Sequence, residues 1–177
     1  MDKMIELETK KLYYGATIFL IGYKHEEFGY KFSTMSSSYS ISNMMMCGLD
    51  IEGDSYKQIS KYNNFSLNIL STDNINLISL GDRNRKQDRF TINKDKISYT
   101  VDKDYDVPLI NNVASQIICT KTSELILSHN PDIINVGAQI KKRLVNEKYM
   151  INGRFIAKNL DVIAYFADSR SKDIRKI

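Results

Sequence analysis

Short apolar segments separated by polar turns recur along the whole chain, and few of them are long enough for a buried helix. Residues 16–23 are rich in β-branched and aromatic side chains, and residues 65–70 alternate between apolar and polar positions, so both predict strands. Further strands are predicted at residues 96–101, 114–122, 124–128, 132–144 and 161–166. The prevailing pattern is that of a β protein.

Two or three short helices accompany these strands. The first is predicted to reach Asn63, with Asp54 or Ser55 as its N-cap, and the second to run from residue 71 or 72 to Gly81. The dipeptide at residues 152–153, Asn-Gly, predicts a tight hairpin. Because long helices do not alternate with strands, a small antiparallel barrel is favoured over a doubly wound sheet.

Residues 31–50 are unusual in composition. Serines crowd residues 33–42 and suit a loop, or an edge strand that presents donors to a polar ligand. The apolar residues 44–47 that follow predict a short strand buried on both faces. The simpler alternative is a Ser-rich connection that leads into a core strand.

Composition fits one folded domain. The chain has 177 residues, of which 42% are hydrophobic and 26% charged, so neither disorder nor a coiled coil is indicated. We expect a single domain over residues 1–177, with residues 1–10 and 168–177 as peripheral tails and the last segment frayed.

The net charge of +4 is spread over three basic clusters, at residues 83–89, 141–143 and 170–176. Interleaved acidic residues dilute each cluster, so solvent-exposed faces are favoured over a nucleic-acid surface. No apolar run reaches the length of a membrane span, and residues 1–10 are too charged for a signal peptide. No partner of either kind, nucleic acid or membrane, is expected.

Cysteine and histidine are scarce. Cys47 and Cys119 lie in apolar surroundings and are expected to be free buried thiols, which suits a reducing cytoplasm. His25 and His129 are expected in exposed loops. Neither a metal site nor a catalytic nucleophile with its base is visible.

Two motifs in the first half of the chain carry a resemblance to a known family. The first is Thr-x-Ser-Ser followed by an apolar strand, here residues 34–37 and 44–49. The second is a Ser that opens a short helix, an Ile four residues later, and Phe-x-x-Asn-x-Leu in the next strand, here Ser55, Ile59 and residues 65–70.

Further motifs follow in the expected order. Asp-Arg-Phe occupies residues 88–90, Val-Pro-Leu residues 107–109 precede the strand that contains Cys119, and a Gly-containing strand follows at residues 137–140. With these motifs, residues 12–166 resemble the flavin reductase-like family with an FMN-binding split barrel. The resemblance implies a mainly β, Greek-key split β-barrel that binds FMN.

The resemblance also implies which residues bind the cofactor. The isoalloxazine edge would be met by Thr34, Met35, Ser36 and Ser37, and the phosphate by hydroxyl, amide and guanidinium groups. The phosphate candidates are Ser55, Asn68, Arg83, Arg85 and Arg89, with the choice among the arginines left open. Because Glu52 and Asp54 flank Ser55, a phosphate there requires both carboxylates to point away.

An enzyme of this family would transfer a hydride from NAD(P)H to FMN, which needs stacked rings but no protein nucleophile. The resemblance further implies a homodimer with the flavin between subunits. Two alternatives stay open: a non-catalytic split barrel that binds flavin or haem, and a nucleic-acid-binding barrel. The last is the least favoured, because the aromatic residues fall mainly in apolar strands.

Overall fold

The computed structural model describes residues 4–6, 13–81, 97–167 and 172–177. These residues form fourteen strands, two α-helices and three 3-10 helices. The strands are β1 (Tyr13–Thr17), β2 (Phe19–His25), β3 (Gly29–Met35), β4 (Ser38–Ile41), β5 (Met44–Asp50), β6 (Asn64–Ile69), β7 (Tyr99–Asp102), β8 (Val107–Ile110), β9 (Ser115–Leu127), β10 (Asn130–Val145), β11 (Met150–Ile151), β12 (Arg154–Phe155), β13 (Ile163–Ala167) and β14 (Lys172–Lys176). The helices are α1 (Asp54–Tyr62) and α2 (Leu77–Gly81), with 3-10 turns at Thr72–Asn74, Glu147–Tyr149 and Ala157–Asn159.

The main sheet has seven strands in the order β3-β2-β6-β9-β10-β5-β4, and every neighbouring pair is antiparallel. Strands β3 and β4 occupy opposite edges of this sheet, yet only Ser36 and Ser37 separate them along the chain. The sheet must therefore curl until its two edges approach each other. The result is a barrel with a gap, which confirms the mainly β barrel predicted above.

The two larger apolar cores of the described chain lie on the two faces of this curled sheet. The first fills the barrel interior and includes Phe19, Ile21 and Phe65; the second lies outside and includes Leu20 and Ile110. Alternate residues of β2 thus enter different cores, which explains why almost the whole strand is buried. Helix α1 seals the interior through Ile59, which is fully buried.

Two smaller sheets and one hairpin complete the described fold. Strands β1, β13 and β14 form a three-stranded sheet, β7 pairs with β8, and β11 pairs with β12. The β11–β12 turn has positive φ at Asn152 and Gly153, as the predicted Asn-Gly hairpin requires. Gly22 is needed where β8 crosses β2, because a Cβ there would lie 2.9 Å from the carbonyl oxygen of Pro108.

The prediction of a frayed C-terminal tail was wrong for residues 172–177. Strand β14 pairs with β13 in full register, and Ile174 packs against the second core. Four of the five residues of β14 are charged, and Asp173, Arg175 and Lys176 are exposed at the edge of its sheet.

The prediction that residues 44–47 are buried on both faces was also wrong. Strand β5 alternates: Met45 and Cys47 enter the first core, whereas Met44 is exposed and Met46 is partly exposed. Strand β4 lies beside β5 at the sheet edge, and within the described residues the outer faces of both strands are largely open.

The helices differ from prediction at their first turns. Gly53, not Asp54 or Ser55, is the N-cap of α1, and no side chain caps it. Ser71 caps the 3-10 turn in a capping box with Asn74, before α2 begins. Neither α-helix of the described ranges is long enough to cross a membrane.

Candidate functional site

Two segments from opposite sides of the gap lie side by side. One is residues 31–37, from β3 and the two residues beyond it; the other is residues 48–55, from the end of β5 to the first turn of α1. At one end the backbone N–H of Gly48 donates to the carbonyl of Ser37 at 3.0 Å. At the other end Lys31 Nζ lies 2.6 Å from Asp54 Oδ2. We call the surface along which these two segments meet the groove.

Alternation along β3 decides which side chains face the barrel interior. Ser33 lies beside the buried Tyr23, and Met35 packs against the first core, so these side chains point inward. Phe32 packs against the second core and points outward, as does Thr34. The Thr34 hydroxyl donates to the carbonyl of Ile78 in α2 at 2.9 Å. That hydroxyl therefore docks α2 on β3, whereas the predicted contact of Thr34 with flavin stays a prediction.

Five polar side chains meet at the α1 end of the groove, and we call them the Asp54 cluster: Tyr23, His25, Lys31, Ser33 and Asp54. Asp54 Oδ2 accepts from Lys31 Nζ at 2.6 Å and from the Tyr23 hydroxyl at 3.3 Å, and Oδ1 lies 3.3 Å from His25 Nε2. Strands β2 and β3 are thereby tied to the first residue of α1.

The exposed position predicted for His25 was wrong, since only 6% of this residue is accessible. Its Nδ1 accepts the backbone N–H groups of Glu27 at 3.0 Å and Phe28 at 3.3 Å. The ring proton is therefore on Nε2, which faces Asp54. His129 is exposed in the β9–β10 turn, as predicted.

Both acidic residues beside Ser55 are paired with lysines. Asp54 Oδ2 lies 2.6 Å from Lys31 Nζ, and Glu52 Oε2 lies 2.9 Å from Lys57 Nζ. These pairings partly neutralise both carboxylates, and a phosphate near Ser55 stays a prediction. Ser55 is buried at the second position of α1, whose first turn has no side-chain cap. Uncapped N–H groups at a helix N-terminus can accept an anion.

Asn68 does not lie at the groove, contrary to its predicted role as a phosphate ligand. Its side chain is fully buried. The amide nitrogen donates to the carbonyl of Leu20 at 3.1 Å and to Ser66 Oγ at 3.0 Å. The amide oxygen accepts from the backbone N–H of Ile110 at 2.8 Å and from Gln116 Nε2 at 3.3 Å. Asn68 therefore braces β8 against the main sheet.

The remaining predicted residues divide into two groups. Ser36 is half-buried and Ser37 exposed, where the chain passes from one sheet edge to the other, and the Ser37 carbonyl already accepts the backbone N–H of Gly48. Arg83, Arg85 and Arg89 lie outside the described residues.

Sequence reasoning missed Lys31 and Ser33 as groove residues. Their period-two spacing with Met35 could have placed all three on one face of β3, but only the fold shows that this face is the interior. The two cysteines are buried free thiols, as predicted. Burial raises the pKa of the Cys119 thiol to about 12 and that of Cys47 still further, so neither is a reactive nucleophile.

A separate cavity of about 370 Å³ lies on the far side of the main sheet from the barrel interior. Its walls come from the β8–β9 connection and the end of β10, and include Gln116 and Asn146. Within the described ranges, no group of three or more His, Cys, Asp or Glu side chains is placed to hold a metal ion.

No protein-family model matches the sequence. No curated protein matches it either. Similarity is instead found among solved structures, at sequence identities that reveal fold and not ancestry.

Flavoredoxin from Methanosarcina acetivorans superposes with a TM-score of 0.81 at 13% identity, covering 99% of this chain and 92% of that one. Flavoredoxin of Desulfovibrio vulgaris (Miyazaki F) gives 0.81 at 13% identity, with coverage of 99% and 93%. A Shewanella frigidimarina protein, provisionally named a flavin reductase with a split barrel domain, gives 0.73 at 11% identity, with coverage of 92% and 82%. The fold of this chain is therefore the split barrel of the flavin reductase-like structures.

Proposed function

We propose that this chain is an FMN-binding oxidoreductase of the flavin reductase type, which passes a hydride from NAD(P)H to FMN and electrons onward to an acceptor. One observation carries the proposal. The groove between residues 31–37 and 48–55 lies in a fold that superposes over 99% of this chain on structures named flavoredoxins.

The residues present fit a flavin. The bend at Ser36 and Ser37 offers backbone groups of extended chain, which suit the carbonyls and ring nitrogens of an isoalloxazine edge. Ser55 and the uncapped first turn of α1 offer N–H groups for a phosphate. Bound FMN would supply the redox chemistry, and the chain would hold it beside the nicotinamide and exclude water from the ring face. Arg89 remains our first choice for a guanidinium on the phosphate, ahead of Arg83 and Arg85.

We further propose a homodimer, with flavin between the subunits. Support comes from the outer faces of β4 and β5, where Tyr39, Ile41 and Met44 are exposed apolar side chains. Among the described residues, strand β4 is also an uncovered sheet edge, which natural proteins seldom leave open. A second copy on this surface would cover the apolar side chains and supply another wall for the flavin.

The coupling between flavin binding and dimerisation tests the proposed homodimer. If each subunit contributes to the flavin site, flavin and dimerisation stabilise each other by mass action. The protein should sediment as a dimer, and dilution toward the monomer should release flavin. A monomer that keeps full flavin occupancy would show that one chain builds the whole site.

The proposed setting is the cytoplasm, whose reducing conditions keep thiols such as Cys47 and Cys119 free. A disulfide-dependent activity would contradict that setting.

The visible spectrum of the purified protein tests the proposed activity. We expect flavin absorption, with bound FMN identified after denaturation, and bleaching by NADH or NADPH in the absence of oxygen. A yellow protein that neither nucleotide bleaches would instead be a non-catalytic flavin module, and a Soret band would identify a haem-binding one. A protein that binds no flavin would overturn the proposal.

A further inference from the structure

Lys31 is a buried lysine at one end of the proposed flavin groove. Only 6% of its side chain is exposed, and its ammonium lies 4.7 Å from the centre of the Phe28 ring. Lysines are seldom buried unless they are paired, and the pairing here is with Asp54. Lys31 lies on the same face of β3 as Ser33 and Met35, and its ammonium reaches the first residue of α1, Asp54.

Asp54 is held more firmly than its exposure suggests. Its side chain is 39% exposed, yet it faces Lys31, Tyr23 and His25 at once. Because His25 has its proton on Nε2 and accepts with Nδ1, it contributes no net charge. The cluster therefore combines one positive and one negative charge, and both lie next to Ser55 at the start of α1.

We propose that Lys31 and Asp54 are the specificity-determining residues that set how strongly the groove discriminates phosphorylated from unphosphorylated flavin. This inference rests on the proposed flavin function. Lys31 attracts a phosphate at the α1 end of the groove, and Asp54 opposes that attraction. The balance of these two charges fixes the ratio of FMN to riboflavin affinity.

Coulomb's law gives the expected size of the change in FMN affinity. A unit charge about 6 Å from another, at an effective dielectric constant of about 20, changes affinity by well over tenfold. A phosphate monoester carries more than one negative charge near neutral pH, whereas riboflavin has none at that position. Removing either member of the pair should therefore shift FMN affinity at least tenfold and leave riboflavin affinity nearly constant.

Two substitutions with opposite predicted effects test the inference. Asp54→Asn removes the negative charge but keeps an acceptor oxygen for Lys31 and Tyr23. It should raise the FMN-to-riboflavin affinity ratio at least tenfold. Lys31→Met keeps the aliphatic stem in the core and should lower the ratio at least tenfold. Both effects should shrink as salt concentration rises.

The measurement is a flavin fluorescence-quenching titration with FMN and with riboflavin. Lys61→Met is the matched control, because Lys61 also pairs with a carboxylate, Glu26, but is exposed and lies in the last turn of α1, away from Ser55. The control should leave the ratio unchanged. Thermal unfolding monitors the fold of each variant, and if Lys31→Met fails to fold, Asp54→Asn alone decides the question.

Three results would overturn the inference. An unchanged ratio in Asp54→Asn would show that the phosphate lies elsewhere. An equal loss of affinity for FMN and riboflavin in both variants would show that Lys31 and Asp54 only hold β3 against α1. Failure of the wild-type chain to bind either flavin would refute the flavin function itself, whereas the first two results would leave that function standing.

Discussion

Asn68 tests whether a residue stabilises the core or binds a ligand. Its sequence motif predicts a phosphate ligand, whereas the structure buries its side chain completely. We expect Asn68→Leu, which keeps the branched shape of the side chain but removes its polar atoms, to destabilise the protein without acting on the groove. The substitution removes the acceptor of the buried Ile110 N–H and the donors to Leu20 and Ser66. No water reaches these groups, since Asn68 is fully buried.

The expected decrease in the free energy of unfolding follows from the hydrogen bonds that Asn68→Leu removes. An unpaired buried N–H costs about 1–3 kcal/mol, and each of the two lost hydrogen bonds contributes about 0.5–1.5 kcal/mol. The free energy of unfolding should therefore fall by about 2–6 kcal/mol. With a urea m-value of about 2–3 kcal/mol/M, the unfolding midpoint should fall by about 0.7–3 M.

Urea denaturation followed by circular dichroism measures this change, and Asn64→Leu is its control on the same strand. Asn64 also makes two side-chain bonds, to the Tyr105 carbonyl at 2.9 Å and from Thr120 Oγ1 at 2.8 Å. It is partly exposed, so water can replace those bonds and the loss should stay near about 1 kcal/mol. An Asn68→Leu protein of nearly wild-type stability that no longer binds flavin would refute the reasoning and restore Asn68 as a ligand.

Three further predictions follow from individual contacts. Thr34→Val removes the bond to the Ile78 carbonyl and should lower the free energy of unfolding by about 1 kcal/mol; a loss of flavin affinity at unchanged stability would return that hydroxyl to the site. Burial, followed by the bond to Asp106, raises the pKa of Tyr30 to about 12 from 10.0. The stability that the neutral phenol contributes is therefore complete below pH 10.0 and is lost as pH rises toward 12. Subtracting the absorbance titration of Tyr30→Phe from that of the wild type should show one tyrosine that ionises near pH 12, and ionisation near pH 10 would contradict this. Arg89→Ala should weaken FMN by about 1.5–3 kcal/mol while sparing riboflavin in equilibrium titration, and an unchanged affinity would move the phosphate contact to another arginine.

Most of the strands were predicted because their apolar and polar spacing is visible within a few neighbouring residues. Residues 16–23 and 65–70 have the composition or alternation of strands buried in a sheet, and β2 and β6 form there. The Asn-Gly turn fixes its own backbone angles and was also confirmed. Strand β14 was missed because its residues are mostly charged, and only pairing with β13 makes it a strand.

Contacts distant in sequence could not be predicted in the same way. His25 lies in a charged segment that suggests exposure, but the packing of α1 against β2 and β3 buries it. The pairing of Lys31 with Asp54 spans 23 positions and depends on where α1 begins after β5. The motifs were adequate to predict the split barrel and the neighbourhood of the groove. They could not distinguish an amide that binds a ligand from one that braces the core, as at Asn68.

The most direct test of the flavin site is a crystal structure of the protein grown with FMN. We expect FMN in the groove, with its isoalloxazine edge against the backbone of residues 34–37 and its phosphate at the end near Ser55 and Lys31. FMN bound instead in the cavity lined by Gln116 and Asn146, with side chains of the chain itself filling the groove, would contradict it.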